Sequence, residues 1–328
     1  MARLKPPKPP TPEQAPRYGI DTLFFTREGV TYHAETLLPW LQTYIDPAIT
    51  DEHLTVQTGN GLYKQCVSVS GDIEDPKQLL PPYTGTTTEL LRIYFNPRPQ
   101  GDKLYPNNTT SFQLKGELLR RIDYMPVLEW IRDNNASVTV LHLFKDDFDY
   151  LLNMPLLHNL CSASSYSKHV ESPLVKSYLD IFNGENSIYL NPKGKKQVHF
   201  YNKALQIGEK FHHVRTEVKL SKDNSFNTGL VVNIANGEPM EPIISSIISK
   251  YVSFKPDGTG RINDRQSYPW WTQFVESATP IKRKDFLPVV PAKKPVSWEK
   301  LEQKKNEILQ QLESINTEIM AHPDRVEY

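Results

Sequence analysis

The residue types best suited to phosphodiester chemistry lie in two short segments, 197–201 and 214–220. Alternating apolar and polar residues predict that each segment is a β-strand, with a polar connector between them. Tyr201 ends the first strand, and the second places its charged side chains on one face: Arg215, Glu217 and Lys219. If the strands are neighbours in a sheet, we expect Tyr201 and Glu217 to approach each other across the ladder.

Tyr201 needs help to act as a nucleophile, because a tyrosine phenol ordinarily has a pKa near 10. A polarised phosphate or a cationic neighbour can supply that help. Lys203 lies on the same strand face, and Arg215 can reach Tyr201 from the second strand. A tyrosine, two cations and a carboxylate can therefore form a phosphodiester site, although the same four residues also suit an ordinary polar sheet face.

A second group of residues has the chemistry of metal ligands. The segment 137–144 is rich in β-forming residues, contains His142 and is followed by Asp146 and Asp147, while Glu217 lies on another predicted strand. Carboxylates and imidazole are suitable ligands for Mg²⁺ or Mn²⁺. Two acidic residues after a strand are also common at a helix start, and a single histidine is often structural. Both interpretations stay open at this point.

Composition and motifs exclude several classes of function. The 328 residues have a formal net charge of zero, so nucleic-acid binding would need a local basic patch. Two distant cysteines rule out a disulfide framework and a cysteine zinc site and suit a reducing compartment. The sequence contains no phosphate-binding glycine loop, no G-x-S-x-G and no H-E-x-x-H. It has no apolar run of membrane-spanning length and no secretory signal, so we expect a cytoplasmic protein.

Predicted strands and helices are interleaved along the chain, which indicates an α+β fold. We expect an antiparallel or mixed sheet core with flanking helices. A strand–turn–strand unit followed by a helix occurs weakly twice, at 53–132 and 187–254, which suggests two related sheet halves. We expect helices at 148–160 and, less clearly patterned, at 174–182.

The chain divides into five predicted regions. Residues 1–17 form a proline-rich disordered tail, 18–220 the main α+β domain, 221–281 an accessory helical and aromatic region, 282–296 a linker, and 297–328 an amphipathic helix. The last helix has apolar residues at near-heptad spacing. That stripe is consistent with packing back on the domain and with a homodimer.

Several segments together resemble the replication-initiation proteins of rolling-circle plasmids, conjugative elements and filamentous phages, the Rep_trans type. The matching segments span residues 18–220: Ile20–Thr26, Phe112–Gly116 with the helix around Trp130, Val138–Asp147, Ser187–Asn191, His199–Lys203 and Arg215–Glu217. Two positions depart from the family pattern. His142 stands where the family has an aspartate, and His199 stands where it has an arginine.

The resemblance implies a metal-dependent DNA-nicking enzyme. Tyr201 would attack origin DNA, single-stranded or extruded as a hairpin, and leave a 5′-phosphotyrosine and a 3′-OH primer, with Lys203 and Arg215 holding phosphates. It implies Mg²⁺ or Mn²⁺ on four candidate ligands: Glu217, Asp146, His142 and Asp147. Candidate DNA contacts are Lys193, Lys195, Lys196, His199 and the pair Trp270–Trp271, although the tryptophans also suit a core cluster.

The implied partners are origin DNA and a host helicase or polymerase in a bacterial cytoplasm, without a membrane. Two other functions remain open from the sequence. One is a non-catalytic DNA-binding protein on the same scaffold, which the two histidine departures would suit. The other is a protein–protein adaptor that acts through the C-terminal helix, which the neutral net charge would suit.

Overall fold

The computed structural model describes most of the chain up to residue 278. The described residues are 16–28, 34–60, 62–72, 87–98, 109–162, 166–168, 175–179, 186–191, 194–207, 211–256, 261, 264–278, 306, 310 and 312. The chain forms two units, 1–288 and 289–328, and the elements below belong to the first. The predicted linker, nearly all of the tail and of the C-terminal helix, and Lys193 lie outside the described residues.

Ten antiparallel strands form one sheet, in the order β2-β3-β4-β5-β1-β6-β11-β10-β9-β8. Their bounds are β1 Tyr18–Glu28, β2 Leu54–Thr58, β3 Tyr63–Asp72, β4 Thr87–Pro97, β5 Thr109–Leu114, β6 Ser137–Asp147, β8 Val175–Leu179, β9 Asn186–Leu190, β10 Lys196–Asn202 and β11 Val214–Ser221. Two further short strands, β7 Tyr166–Lys168 and β12 Val252–Phe254, pair with each other. The fold is therefore α+β with an antiparallel sheet, as predicted.

The sheet consists of two halves with the same connections. From the centre outwards, one half runs β1, β5, β4, β3, β2 and the other runs β6, β11, β10, β9, β8. In each half, the strand that comes first in the chain lies at the centre of the sheet, and the strand that comes last in the chain lies next to it. The remaining strands then follow toward the edge of the sheet in reverse chain order. This topology agrees with the weak repeat in the sequence.

Eight α-helices are found among the described residues. They are α1 Ala34–Tyr44, α2 Gly116–Leu119, α3 Met125–Asp133, α4 Met154–Ser162, α5 Lys203–Ile207, α6 Asn224–Ala235, α7 Met240–Tyr251 and α8 Pro269–Phe274, with a 3₁₀ helix at Asp51–His53. The core includes alternate residues of the central strands, such as Leu23, Phe25, Leu141 and Leu143, which are fully buried. The intervening positions point to the other sheet face, where the polar residues of the candidate site lie.

Three segments differ from the sequence prediction. Residues 175–179, expected to be helical, form strand β8, because they pair with β9 along their whole length. The helix expected at 148–160 begins only at Met154, since Tyr150 has a left-handed backbone with φ 60° that interrupts a right-handed helix. Helix α6 lies in the accessory region predicted to be helical, but its bounds were not predicted, because its first turn is largely polar; Leu230 and Val231 are among its buried residues.

Candidate metal and tyrosine site

The register of three adjacent strands aligns the predicted reactive residues in rows. In the β10–β11 ladder, His199 lies opposite Glu217 and Tyr201 lies opposite Arg215. In the β11–β6 ladder, Arg215 lies opposite Asp146. The expectation that the two strands are neighbours is confirmed, but Glu217 is the diagonal neighbour of Tyr201 and Arg215 is its direct partner.

Asp21, His142 and Glu217 form a group that can hold a metal ion. One ligand atom from each residue lies within 4.8 Å of the others, and His142 Nδ1 is 2.7 Å from a Glu217 carboxylate oxygen. His142 Nε2 is buried without a hydrogen-bond partner, so this ring nitrogen is not engaged by the protein and is available to bind a metal ion. Two carboxylates and one imidazole fit Mg²⁺ or Mn²⁺.

Asp21 reaches this group because of an irregularity in strand β1. The β1–β6 register shifts between Ile20 and Thr22, so Asp21 is an extra residue at a β-bulge, a feature that redirects a side chain. Gly116 makes room for it, since a Cβ there would lie 2.6 Å from the Asp21 carbonyl oxygen. Asp21 was missed as a candidate ligand, although it is the single acidic residue of a predicted buried strand and lies in a family-like segment.

Arg215 ties the metal group to the rest of the site. Its guanidinium donates two hydrogen bonds of 2.7 Å to Asp146 and one of 2.9 Å to Asp21 Oδ1, and it lies 3.8 Å from the centre of the Phe144 ring. Burial alone would lower the pKa of Arg215, but the Asp146 carboxylate outweighs burial and raises it. Arg215 is therefore a fixed positive charge opposite Tyr201.

Asp146 and Asp147, both predicted as metal ligands, lie outside the three-residue group and are bonded elsewhere. Burial would raise the pKa of Asp146, but Arg215 outweighs it and holds the pKa below its ordinary value. The Asp147 carboxylate accepts hydrogen bonds from the backbone N–H groups of Asp149 and Leu152, at 3.0 and 2.7 Å. It also lies 2.9 Å from His212 Nε2. These contacts hold the loop that follows strand β6.

Tyr201 and Lys203 lie close together where β10 passes into α5. Tyr201 is 8% exposed, and burial raises its pKa, an effect that Arg215 partly opposes. Lys203 Nζ is 5.7 Å from the centre of the Tyr201 ring and donates a 2.6 Å hydrogen bond to Gln206. Burial lowers the pKa of Lys203 to about 8. The lysine is thus able to exchange a proton near neutral pH.

His199 lies between two tyrosine rings. Its ring centre is 3.9 Å from that of Tyr189 and 4.4 Å from that of Tyr201, with nearly parallel planes. Burial lowers the pKa of His199 to about 4, so the ring is neutral at pH 7. The structure therefore places this predicted DNA contact inside the site, beside Glu217 and Tyr201.

The remaining predicted DNA contacts do not join this site. Lys195 is exposed. Lys196 lies on the opposite face of β10 from His199. Its Nζ lies 5.3 Å from the centre of the Tyr251 ring on helix α7. Trp271 is 1% exposed, and Trp270 packs on it. Trp271 is therefore part of the core, and Trp270 is a half-buried residue packed against it.

Comparisons with known proteins were consistent with this geometry. A solved structure of a rolling circle replication initiator protein from Geobacillus stearothermophilus aligns with 79% of this chain and 95% of its own, at a TM-score of 0.60 and 18% identity, which shows a shared fold. No curated protein sequence matched. The Rep_trans family, described as replication initiation factor, matches residues 138–305, from the start of β6. The chain therefore belongs to the Rep_trans family of replication initiation factors.

Proposed function

We propose that this replication initiation factor nicks one strand of its origin DNA through Tyr201. The observation that carries the proposal is the shared sheet face: Tyr201 and Glu217 lie on adjacent strands, one row apart, with Arg215 paired to Tyr201 and bonded to Asp21. A candidate nucleophile, a cation and a candidate metal-binding group thus lie together on one face of the antiparallel sheet. Family membership and the shared fold support the same function.

Asp21, His142 and Glu217 would hold the divalent ion. A bound ion would supply Lewis acidity at a phosphate oxygen, which would favour attack on phosphorus. The replacement of the family aspartate by His142 is compatible with binding, because neutral imidazole is also a ligand for such ions. The hydrogen bond between His142 and Glu217 holds the two side chains together.

Lys203 is the proposed base for the Tyr201 phenol. The Tyr201 oxygen would form a bond to phosphorus while the bond from phosphorus to the 3′ oxygen breaks. The phenol proton would pass to neutral Lys203, and the departing 3′ oxygen would take a proton from solvent to give the 3′-OH. The pKa of about 8 leaves a useful neutral fraction of Lys203 at physiological pH. Arg215 keeps its charge and would stabilise the phenolate that develops opposite it.

A non-catalytic DNA-binding protein on the same scaffold is the second candidate. The observation in its favour is that Tyr201 is only 8% exposed, so a phosphodiester must displace neighbouring groups to reach it. Both functions involve origin DNA in the host cytoplasm and allow a host helicase or polymerase as a partner. An adaptor role or a homodimer through residues 297–328 remains a separate proposal.

Strand cleavage distinguishes the two candidates. Labelled single-stranded oligonucleotides that tile the protein's own replicon would be incubated with protein and Mg²⁺ or Mn²⁺ and resolved on a denaturing gel. The proposal predicts metal-dependent cleavage at one position by the natural protein and none by Tyr201→Phe. Binding without cleavage under every metal condition would favour the non-catalytic function.

A further inference from the structure

Two aromatic rings form an exposed stack where strand β6 ends. The side chain of Tyr150 is 75% exposed, which is the highest value among the large apolar residues that the structure describes. Its ring centre lies 4.3 Å from that of His212, with an angle of 23° between the planes. One face of the tyrosine ring is therefore covered by His212, and the ring is otherwise largely open to solvent.

Hydrogen bonds and an ion pair hold the turn that carries the stack. Tyr150 has φ 60°, a left-handed conformation that is unfavourable for a bulky side chain. Asp147 fixes both sides of the stack, because its carboxylate accepts the N–H of Leu152 at 2.7 Å and lies 2.9 Å from His212 Nε2. Strained backbone that the surrounding bonds hold in place is often found at ligand sites.

The same turn connects directly to the proposed nicking site. Asp146, four residues before Tyr150, accepts two hydrogen bonds from Arg215, which lies opposite Tyr201. His213, next to His212, has its Nε2 2.9 Å from Asp146 Oδ2. The aromatic stack is thus linked, through Asp146 and Arg215, to the position on β10 that Tyr201 occupies.

We propose that the Tyr150–His212 stack binds an unpaired base of the DNA strand that is nicked. This proposal rests on the proposed function. Every base has a flat π-face, and stacking on an aromatic side chain holds single-stranded DNA without requiring a particular sequence. A ring already supported on one face by His212 can receive a base on the other without rearrangement. Its role would be to fix a flanking nucleotide so that the scissile phosphate lies at Tyr201.

Fluorescence of 2-aminopurine, which is quenched when the base stacks, provides the test. The analogue would be placed at successive positions of a single-stranded origin oligonucleotide and titrated with Tyr201→Phe protein, which keeps the DNA uncleaved. We expect quenching near one position beside the nick. Tyr150→Gly should abolish that quenching and weaken binding about 10-fold or more.

Two features of the design separate binding from folding. Glycine accepts φ 60° without strain, so Tyr150→Gly removes the ring while keeping the turn. Tyr150→Phe is the matched control, because it keeps the ring and loses only the hydroxyl group, and it should bind and quench as the parent protein does.

The possible outcomes distinguish this proposal from the proposed function. Equal affinity and equal quenching in Tyr150→Gly would overturn the base-binding role while leaving nicking by Tyr201 intact. Tyr150-dependent quenching in a protein that never cleaves DNA would support base binding and overturn nicking. A protein that binds no single-stranded DNA at all would overturn both.

Discussion

Arg215 determines which acidic side chains of the site remain available to a cation. It binds both carboxylate oxygens of Asp146 but only one oxygen of Asp21, Oδ1. Asp146 therefore serves as the counterion of a buried arginine, while Asp21 can face His142 and Glu217. Residue types alone could not separate these roles, because Asp21, Asp146 and Glu217 all lie on or directly after predicted strands.

Removing one carboxylate of the metal group should weaken metal binding. Glu217→Gln keeps the shape of the side chain and removes its charge, so we expect the affinity for Mn²⁺, measured by titration calorimetry, to fall at least about 10-fold. Glu89→Gln is the matched control, because Glu89 is paired with Arg92 and Lys115 outside the group. An unchanged affinity in Glu217→Gln would remove Glu217 from the ligand set.

Lys203 should give nicking a characteristic pH dependence. If its neutral form accepts the Tyr201 proton, the rate of cleavage should rise with pH and level off above about 8, the pKa of this buried lysine. Lys203→Arg keeps a positive charge that does not titrate, so it should retain DNA binding and lose the rise. The measurement is single-turnover cleavage between pH 6 and 9.5 at saturating metal. A wild-type rate that is independent of pH would rule out the base role.

At the scale of elements, the ladder between β10 and β11 could be predicted and the bulge in β1 could not. Strict alternation from Val214 to Leu220 marked a strand with one polar face, and the structure confirms the strand and its neighbour. Asp21 reaches the metal group only because the register slips by one residue beside it. A slip of that kind depends on the partner strand, so the sequence of β1 alone does not reveal it.

Gly116, at the start of helix α2, should affect both stability and metal binding. In Gly116→Ala the new Cβ would lie 2.6 Å from the backbone oxygen and 2.8 Å from Oδ1 of Asp21, so the bulge must move. We expect a loss of about 1–3 kcal/mol in the free energy of unfolding, measured with urea, together with weaker Mn²⁺ binding.

Gly237→Ala is the contrasting variant for Gly116. Gly237 has φ 93°, and a Cβ added there would meet no atom within 4 Å, so alanine strains only the local backbone. It should lower stability while leaving Mn²⁺ affinity unchanged. If Gly116→Ala also left the affinity unchanged, the proposed link between Gly116 and Asp21 would fail.

At the scale of the whole molecule, two halves with equal topology contribute different numbers of residues to the candidate site. The second half carries Tyr201, Lys203 and Glu217, and the family match begins at its first strand. In the first half, Arg92 on β4 donates hydrogen bonds to Glu89 and to the hydroxyl group of Tyr94, so its charge is already neutralised within the strand. The first half contributes one member of the metal group, Asp21, and otherwise extends the sheet.

The two halves were visible in the sequence only as a weak repeat of a strand–turn–strand unit and a helix. The pairing of β1 with β6 at the centre of the sheet was not visible, because the two strands are more than a hundred residues apart and no local pattern links them. For the same reason the sequence pointed to the proposed nucleophile, Tyr201, and to two members of the metal group, Glu217 and His142, all in the second half, and missed Asp21 in the first.

The most direct test of the account is to identify the residue that becomes attached to DNA. The protein would react with an end-labelled origin oligonucleotide and Mn²⁺, and the trapped adduct would be digested and mapped by mass spectrometry. We predict a 5′-phosphotyrosyl linkage on the peptide that contains Tyr201, absent from Tyr201→Phe and present in Tyr189→Phe. An adduct that persists in Tyr201→Phe, or that maps to Tyr189, would contradict the assignment of the nucleophile.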